Sequence, residues 1–266
     1  PLATAVAQTE QLRREGYREL VLTGIEISSW GHDLKNGQSL IDLLEAVSAA
    51  AGDMRLRLGS LEPRTITEDF CRRASKLPNL CPHFHLSLQS GCDETLRRMN
   101  RKYDTARFYE SVTLLRQYFH RPAVTTDLIC GFPDETNREF EQTMAFIEKC
   151  AFADMHIFPY SRRPGTPADK MPGQHGNAVK EARSRAAIAV AEEMSRAYRE
   201  ALVGSVQSVL FESVEDGLFT GHTPNYVKVY AAGENLHNEI QDVTIKSVFQ
   251  DGVLGEILRG EGGQRA

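Results

Sequence analysis

Closely spaced cysteines are missing from this 266-residue chain: its five, Cys71, Cys81, Cys92, Cys130 and Cys150, all lie far apart. An odd number at wide spacing argues for a reducing compartment rather than a disulfide framework, and it supplies no zinc or cluster motif. Long apolar runs are missing too. None approaches the ~18 residues that a membrane span requires, so no membrane partner is expected. The opening PLATAVAQTEQLRREG has no initiator methionine, no basic n-region and no apolar h-region. It does not read as a signal peptide; it reads as the inside of a helix, as if cut from a longer chain. What is present is an ordinary composition, 41% hydrophobic and 25% charged with a net charge of -5. That suits one large domain, or a large and a small one, and the expected location is cytoplasmic.

Strand-like and helix-like stretches alternate for about 160 residues, the rhythm of βα units and a parallel sheet. ELVLTGIEI (19–27), MRLRLGSLEP (54–63), FHLSLQS (84–90), AVTTDLICGF (123–132) and ADMHIFPY (153–160) read as strands. Helices are expected at 39–50, 67–77, within 105–119 and at 136–150, with Thr67 as an N-cap and Thr136 with Glu139 as a capping box. A strand covered on both faces is a continuous apolar run, but several strands here are one-sided. In CPHFHLSLQSGC (81–92), Cys81, His83, His85, Ser87 and Gln89 share a face opposite Pro82, Phe84, Leu86 and Leu88. Arg55 and Arg57 alternate with Leu56 and Leu58, and Asp154 and His156 with Met155 and Ile157. A barrel with a polar lumen accommodates that pattern better than a flat doubly wound sheet. Cys81, His83 and His85 have metal-like numbering, but along a strand they stand about 7 Å apart and read as lumen residues rather than ligands.

Residues 177–202 form one long helix rich in Ala, Glu and Arg, after which short β-branched runs alternate with Gly, Asn and Asp turns. A boundary near Val203 separates residues 1–202 from a small all-β domain, 203–266. That second domain carries four Lys/Arg (Lys228, Lys246, Arg259, Arg265) against nine Asp/Glu. Residues 162–202 have the opposite balance, eight Lys/Arg against five Asp/Glu.

Five ordered motifs, VLTGIEISSWGHDL, RLRLGSLEP, HFHLSLQSGCDETLRRMNRKY, TTDLICGFPDET and HIFPYSRRPGTPADKM, resemble those of the radical S-adenosylmethionine methylthiotransferases. GHTPNYVKVY resembles the TRAM domain of the same enzymes, and the SLEP and GHTPNYV forms look most like the branch acting on N6-threonylcarbamoyladenosine in tRNA. The resemblance implies a fold: an α/β, partial (βα)6 TIM-like barrel lacking its first strand, then a small OB-like TRAM barrel. It implies S-adenosylmethionine at the carboxyl ends of the strands, held by Gly24, Glu62, Gln89, Ser90, Asp127, Ile129, Gly131, Tyr160 and Arg163. It implies contact with a tRNA anticodon stem-loop through Arg97, Arg98, Arg101 and Lys102 at the rim, and through His222, Asn225 and Tyr226 in the small domain.

The family's C-x3-C-x2-C cluster motif is absent, as is the family's N-terminal domain. Of the two [4Fe-4S] clusters implied for the intact enzyme, this chain is expected to ligate neither and to be inactive alone. An intact enzyme would draw electrons from a donor such as flavodoxin or ferredoxin. It would cleave S-adenosylmethionine to a carbon radical that abstracts hydrogen from C2 of the modified adenine, which then receives sulfur and a methyl group. A fragment that binds tRNA or the cofactor without chemistry is the competing class. Isopentenyl-adenosine tRNA or a ribosomal-protein aspartate is the competing substrate. Asp134 stands where the family has Gly, and Trp30 where Tyr is more usual.

Overall fold

The computed structural model describes residues 1–31, 33 and 36–258. His32 and Leu34 of the first motif, and Arg259 and Arg265 of the charge count, lie outside the described residues. After α1 (Leu2–Arg14) come five strands: β1 (Glu19–Leu22), β2 (Arg55–Leu58), β3 (His83–Gln89), β4 (Ala123–Cys130) and β5 (Asp154–Pro159). All pairings among them are parallel, β1 with β2 and β3 with β4 with β5. The bridges Leu56–Leu80 and Leu61–Leu86 join the two groups into one curved wall. Parallel neighbours need crossovers. These are α2 (Leu40–Ala51), α3 (Glu68–Ala74), α4 (Asp93–Arg98) with α5 (Thr105–Tyr118), and α6 (Asn137–Cys150).

Local chemistry fixes where these helices begin. Thr67 Oγ1 accepts from the Phe70 N–H at 3.1 Å, and Thr136 and Glu139 exchange bonds at 3.2 and 2.7 Å, as the sequence leads one to expect. Ser39 and Asp42 form a second capping box, at the start of α2. The outward strand residues Leu56, Leu58, Phe84, Leu86, Leu88, Val124 and Leu128 are buried beneath the helices in one apolar cluster. Inside that layer one ion pair is almost fully enclosed: Arg183, on the long helix α7 (Asn177–Glu200), meets Glu135 at 2.8 Å.

The remaining strands, β6 (Val206–Glu215), β7 (Leu218–His222), β8 (Lys228–Ala231), β9 (Glu239–Phe249) and β10 (Gly252–Ile257), close into a barrel of order β10-β8-β7-β6-β9. Its core is Val209, Phe211, Val229, Ala231, Val243, Ile245 and Val253. Gly221 permits the closure, because a Cβ there would lie 2.1 Å from the Leu210 carbonyl oxygen.

The two arginines of β2 decide how the parts join. Sequence parity puts Arg55 and Arg57 on an open lumen wall; the small barrel instead covers them, leaving 7% and 3% of their surface exposed. Arg55 donates to the Ser208 and His222 carbonyls at 2.7 and 3.1 Å. Arg57 grips both Glu19 oxygens at 2.6 and 2.9 Å and donates to the Pro224 carbonyl at 2.9 Å. A buried guanidinium is tolerated only with such partners.

Two predictions follow from this burial. Arg57→Ala strands the Glu19 carboxylate and should cost about 3–5 kcal/mol in urea unfolding; a loss below about 1 kcal/mol would show that the joint does not depend on the pair. All five cysteines are free and buried, and burial pushes the thiols of Cys71 and Cys81 up to about 11 and those of Cys130 and Cys150 up to about 12. The thiolate is the nucleophile. These four should therefore resist a thiol-labelling disulfide at pH 8 until guanidinium unfolds the chain, and two or more thiols labelled before unfolding would contradict the packing.

Candidate functional site

The residues expected to hold the cofactor gather at one end of the curved wall. Gly24 lies two residues past β1 and is exposed, and Glu62 follows β2. Arg64 grips the Glu62 carboxylate at 2.8 and 3.0 Å, and the Glu62 N–H donates to Ser28 Oγ at 2.9 Å. Gln89 ends β3 with φ +69° at a break in the β3–β4 register. A non-glycine residue held there is a costly conformation, found most often where the surroundings enforce it for a purpose. Thr126 helps to enforce it, its hydroxyl accepting the Leu88 N–H at 3.1 Å.

Ser90 departs from the expectation. It is fully buried, with its hydroxyl 3.4 Å from Thr143 Oγ1 of α6 and accepting the Cys92 N–H at 3.3 Å, so it faces the helix layer. Asp127 and Ile129 are half-buried on the inward row of β4, and Gly131 follows with φ +73°. Past β5, the buried ring of Tyr160 packs edge-on against Phe132 at 5.2 Å, and its enclosed hydroxyl has no partner. Arg163 is exposed a few residues on. Asp134 adopts φ +60°, which explains a glycine preference at that position, and its N–H donates to the Gly173 carbonyl at 3.0 Å.

Deeper in the lumen a polar chain crosses three strands. Thr125 Oγ1 lies 3.2 Å from His83 Nε2 and 3.1 Å from His85 Nδ1, and His85 Nε2 lies 3.3 Å from Asp127 Oδ2. That contact with His85 holds the Asp127 carboxyl below the usual carboxylate range. Burial pushes His83 down to about 3, so it stays neutral, and its Nδ1 has no partner. His156 on β5 completes a set in which one donor atom each of His85, Asp127 and His156 lies within 4.8 Å of the others. Reading along a single strand misses this grouping. The signal lies in the same two-residue parity compared across three strands. Cys81 and His83 take no part in it, and among the described residues no such donor group contains a cysteine.

The expected RNA contacts divide. Arg97 is paired with Glu94, and Arg98 with Glu139 at 2.9 Å. Arg101 and Lys102 are exposed in the turn after α4, and Lys102 Nζ donates to Asn100 Oδ1 at 2.6 Å. His222, Asn225 and Tyr226 belong to the joint between the two barrels. The Tyr226 ring stacks on His222 at 4.6 Å and on His83 at 5.1 Å, with the Arg57 guanidinium 4.6 Å from its centroid. The Asn225 amide donates to the Arg121 carbonyl at 2.6 Å and to Tyr198 Oη at 2.8 Å. Between these groups and the lumen row lies a cavity of about 560 Å³, lined by His83, His85, His156, Arg57 and Tyr226 among others.

The Radical SAM superfamily model matches residues 1–147. The chain is 36% identical over 255 residues to the threonylcarbamoyladenosine tRNA methylthiotransferase MtaB of Thermotoga maritima, covering 96% of this chain and 58% of that protein. It is 32% identical over 256 residues to a tRNA-2-methylthio-N(6)-dimethylallyladenosine synthase of Acetivibrio thermocellus, covering 95% of this chain and 53% of that one. The chain thus spans little more than half the length of these relatives. Among solved structures, it is similar to the coproporphyrinogen III oxidase HemN of Escherichia coli, with TM-score 0.54 at 15% identity over 84% of this chain and 59% of that one, a likeness of fold. The family model covers more than half of the chain, and its wall of parallel strands has the matching fold: the chain belongs to the radical SAM superfamily.

Proposed function

We propose that this chain is the cofactor barrel and TRAM domain of a tRNA methylthiotransferase that modifies C2 of N6-threonylcarbamoyladenosine beside the anticodon. The relatives that carry that name support the reading. The observation that carries the cofactor's place in it is the Tyr160 hydroxyl, unpartnered at the carboxyl ends of the strands, where α/β barrels place their sites. A buried hydroxyl without a partner is costly, so a ligand that bonds to it gains what the protein alone leaves unmade.

We place S-adenosylmethionine at that end of the lumen: Tyr160 would offer it a hydrogen bond, Gln89 an amide, and Asp127 an anion opposite its positive groups. When bound beside a reducing cluster, it supplies hydrogen-abstraction chemistry and a methyl group. The residues of this chain bind, orient and exclude water. Glu62 reaches the same rim with its charge already balanced by Arg64. The cysteines do not fit a cluster: all five are buried, and the one donor group found among the described residues contains none of them.

We assign the phosphate contact to Arg101 and Lys102, which form no ion pair among the described residues and are exposed in the turn after α4. The small barrel offers less, because Lys228 is engaged by Glu215 and Asp251, and Lys246 by Glu256.

Nucleoside mass spectrometry of tRNA from cells lacking the gene tests the function. The methylthio form of threonylcarbamoyladenosine should vanish and its precursor accumulate. Loss of a methylthio dimethylallyladenosine instead would move the substrate to the other named relative, and an unchanged profile would overturn the tRNA reading. In the intact enzyme, Tyr160→Phe should weaken cofactor binding about fivefold to tenfold, the worth of one hydrogen bond of ~1–1.4 kcal/mol. An unchanged affinity would remove Tyr160 from the site.

A further inference from the structure

We propose that His85, Asp127 and His156 bind a single divalent transition-metal ion on the inner wall of the barrel. The inference shares Asp127 with the cofactor site proposed above, but it rests on where three strands place three side chains. Asp127 and His156 are direct partners in the β4–β5 register, and His85 is paired with Thr125, two residues before Asp127. Backbone ladders therefore set the spacing of the ligands, a more exact support than a loop provides.

The distances suit an ion. The 3.3 Å between His85 Nε2 and Asp127 Oδ2 is close to the ~3.3 Å that separates two ligands of a tetrahedral ion with bonds of ~2.0–2.1 Å. The third donor already lies within 4.8 Å of both, and His156 is exposed, so a small turn of its ring brings it in. The ring of His85 is fixed from behind by the Thr125 hydroxyl at 3.1 Å, the outer support that metal-binding histidines commonly have.

Entry is open, because His85 and His156 both line the cavity of about 560 Å³ between the two barrels. Two imidazole nitrogens and one carboxylate oxygen select Zn²⁺, Co²⁺ or Ni²⁺ over Mg²⁺ or Ca²⁺, which prefer oxygen throughout. Three protein ligands leave a coordination position for water or a substrate atom. The plainer account is a simple His85–Asp127 hydrogen bond. That account gives His156 no role, which is what separates the two.

The test is titration of the metal-free full chain with Co²⁺ and, by calorimetry, with Zn²⁺. One equivalent should bind, with visible d–d absorption for cobalt and no sulfur-to-cobalt charge transfer. His156→Ala, at an exposed position, should weaken binding about a hundredfold, and Thr125→Val about tenfold or more through the His85 ring. His237→Ala, at a histidine of the small barrel whose Nδ1 lies 2.8 Å from the Glu212 carbonyl oxygen, should leave the cobalt spectrum unchanged. Thermal unfolding followed by circular dichroism confirms that each variant is folded. Absence of stoichiometric binding, a charge-transfer band from a cysteine, or an unaltered affinity in folded His156→Ala would each overturn the assignment.

Discussion

The two-residue period of five parallel strands is the constraint on which this molecule depends. Because successive side chains leave a strand on opposite sides, each strand must satisfy two environments at once. Outward, Leu56, Phe84, Leu86, Val124 and Leu128 meet the helices in a dry layer. Inward, Arg57, His83, His85, Thr125, Asp127 and His156 form a polar row, most of which lines a cavity shared with the small barrel and with Ser195, Tyr198 and Arg199 of α7. A register slip of one residue would put guanidinium and imidazole groups under the helices and leucines in the lumen. The polar row thus fixes register as firmly as the apolar one.

Along that row the environment changes with depth. At the amino ends the small barrel closes over Arg55, Arg57 and His83, and each is nearly out of contact with water. At the carboxyl ends Gln89, Gly131 and Asp134 take left-handed backbone conformations. Left-handed non-glycine residues also stand at the amino ends, Arg121 before β4 and Ala151 before β5, so the two ends differ in what covers them and not in backbone cost. Asp127 lies between the two regimes, half-buried and tied to His85.

Much of this was legible from the residues. The strand and helix rhythm, the Thr67 and Thr136 caps, and the one-sided strands all follow from local chemistry, which a sequence states directly. What parity could not give was the partner of each polar face. Arg55 and Arg57 read as lumen residues because nothing nearby in sequence announces that carbonyls at positions 208 and 222–224 will arrive to bind them. Ser90 follows the same lesson: its place at a strand end is readable, but the side to which its hydroxyl turns is set by Thr143 on α6. The His85, Asp127 and His156 grouping spans three strands, and it emerges only once their register is known.

The joint between the barrels is chemically lopsided. On one side it needs particular side chains, two arginines and a glutamate; on the other, Arg55 and Arg57 are met chiefly by main-chain oxygens at Ser208, His222 and Pro224. A main-chain oxygen is the same whatever residue carries it. Those two arginines therefore read the path of the small barrel's backbone, and Tyr226 and Asn225 are the side chains it adds to the seat; away from them its surface is free to drift in composition, even to a net negative one. Selection acting on what that barrel touches can proceed almost independently of selection acting on how it is attached.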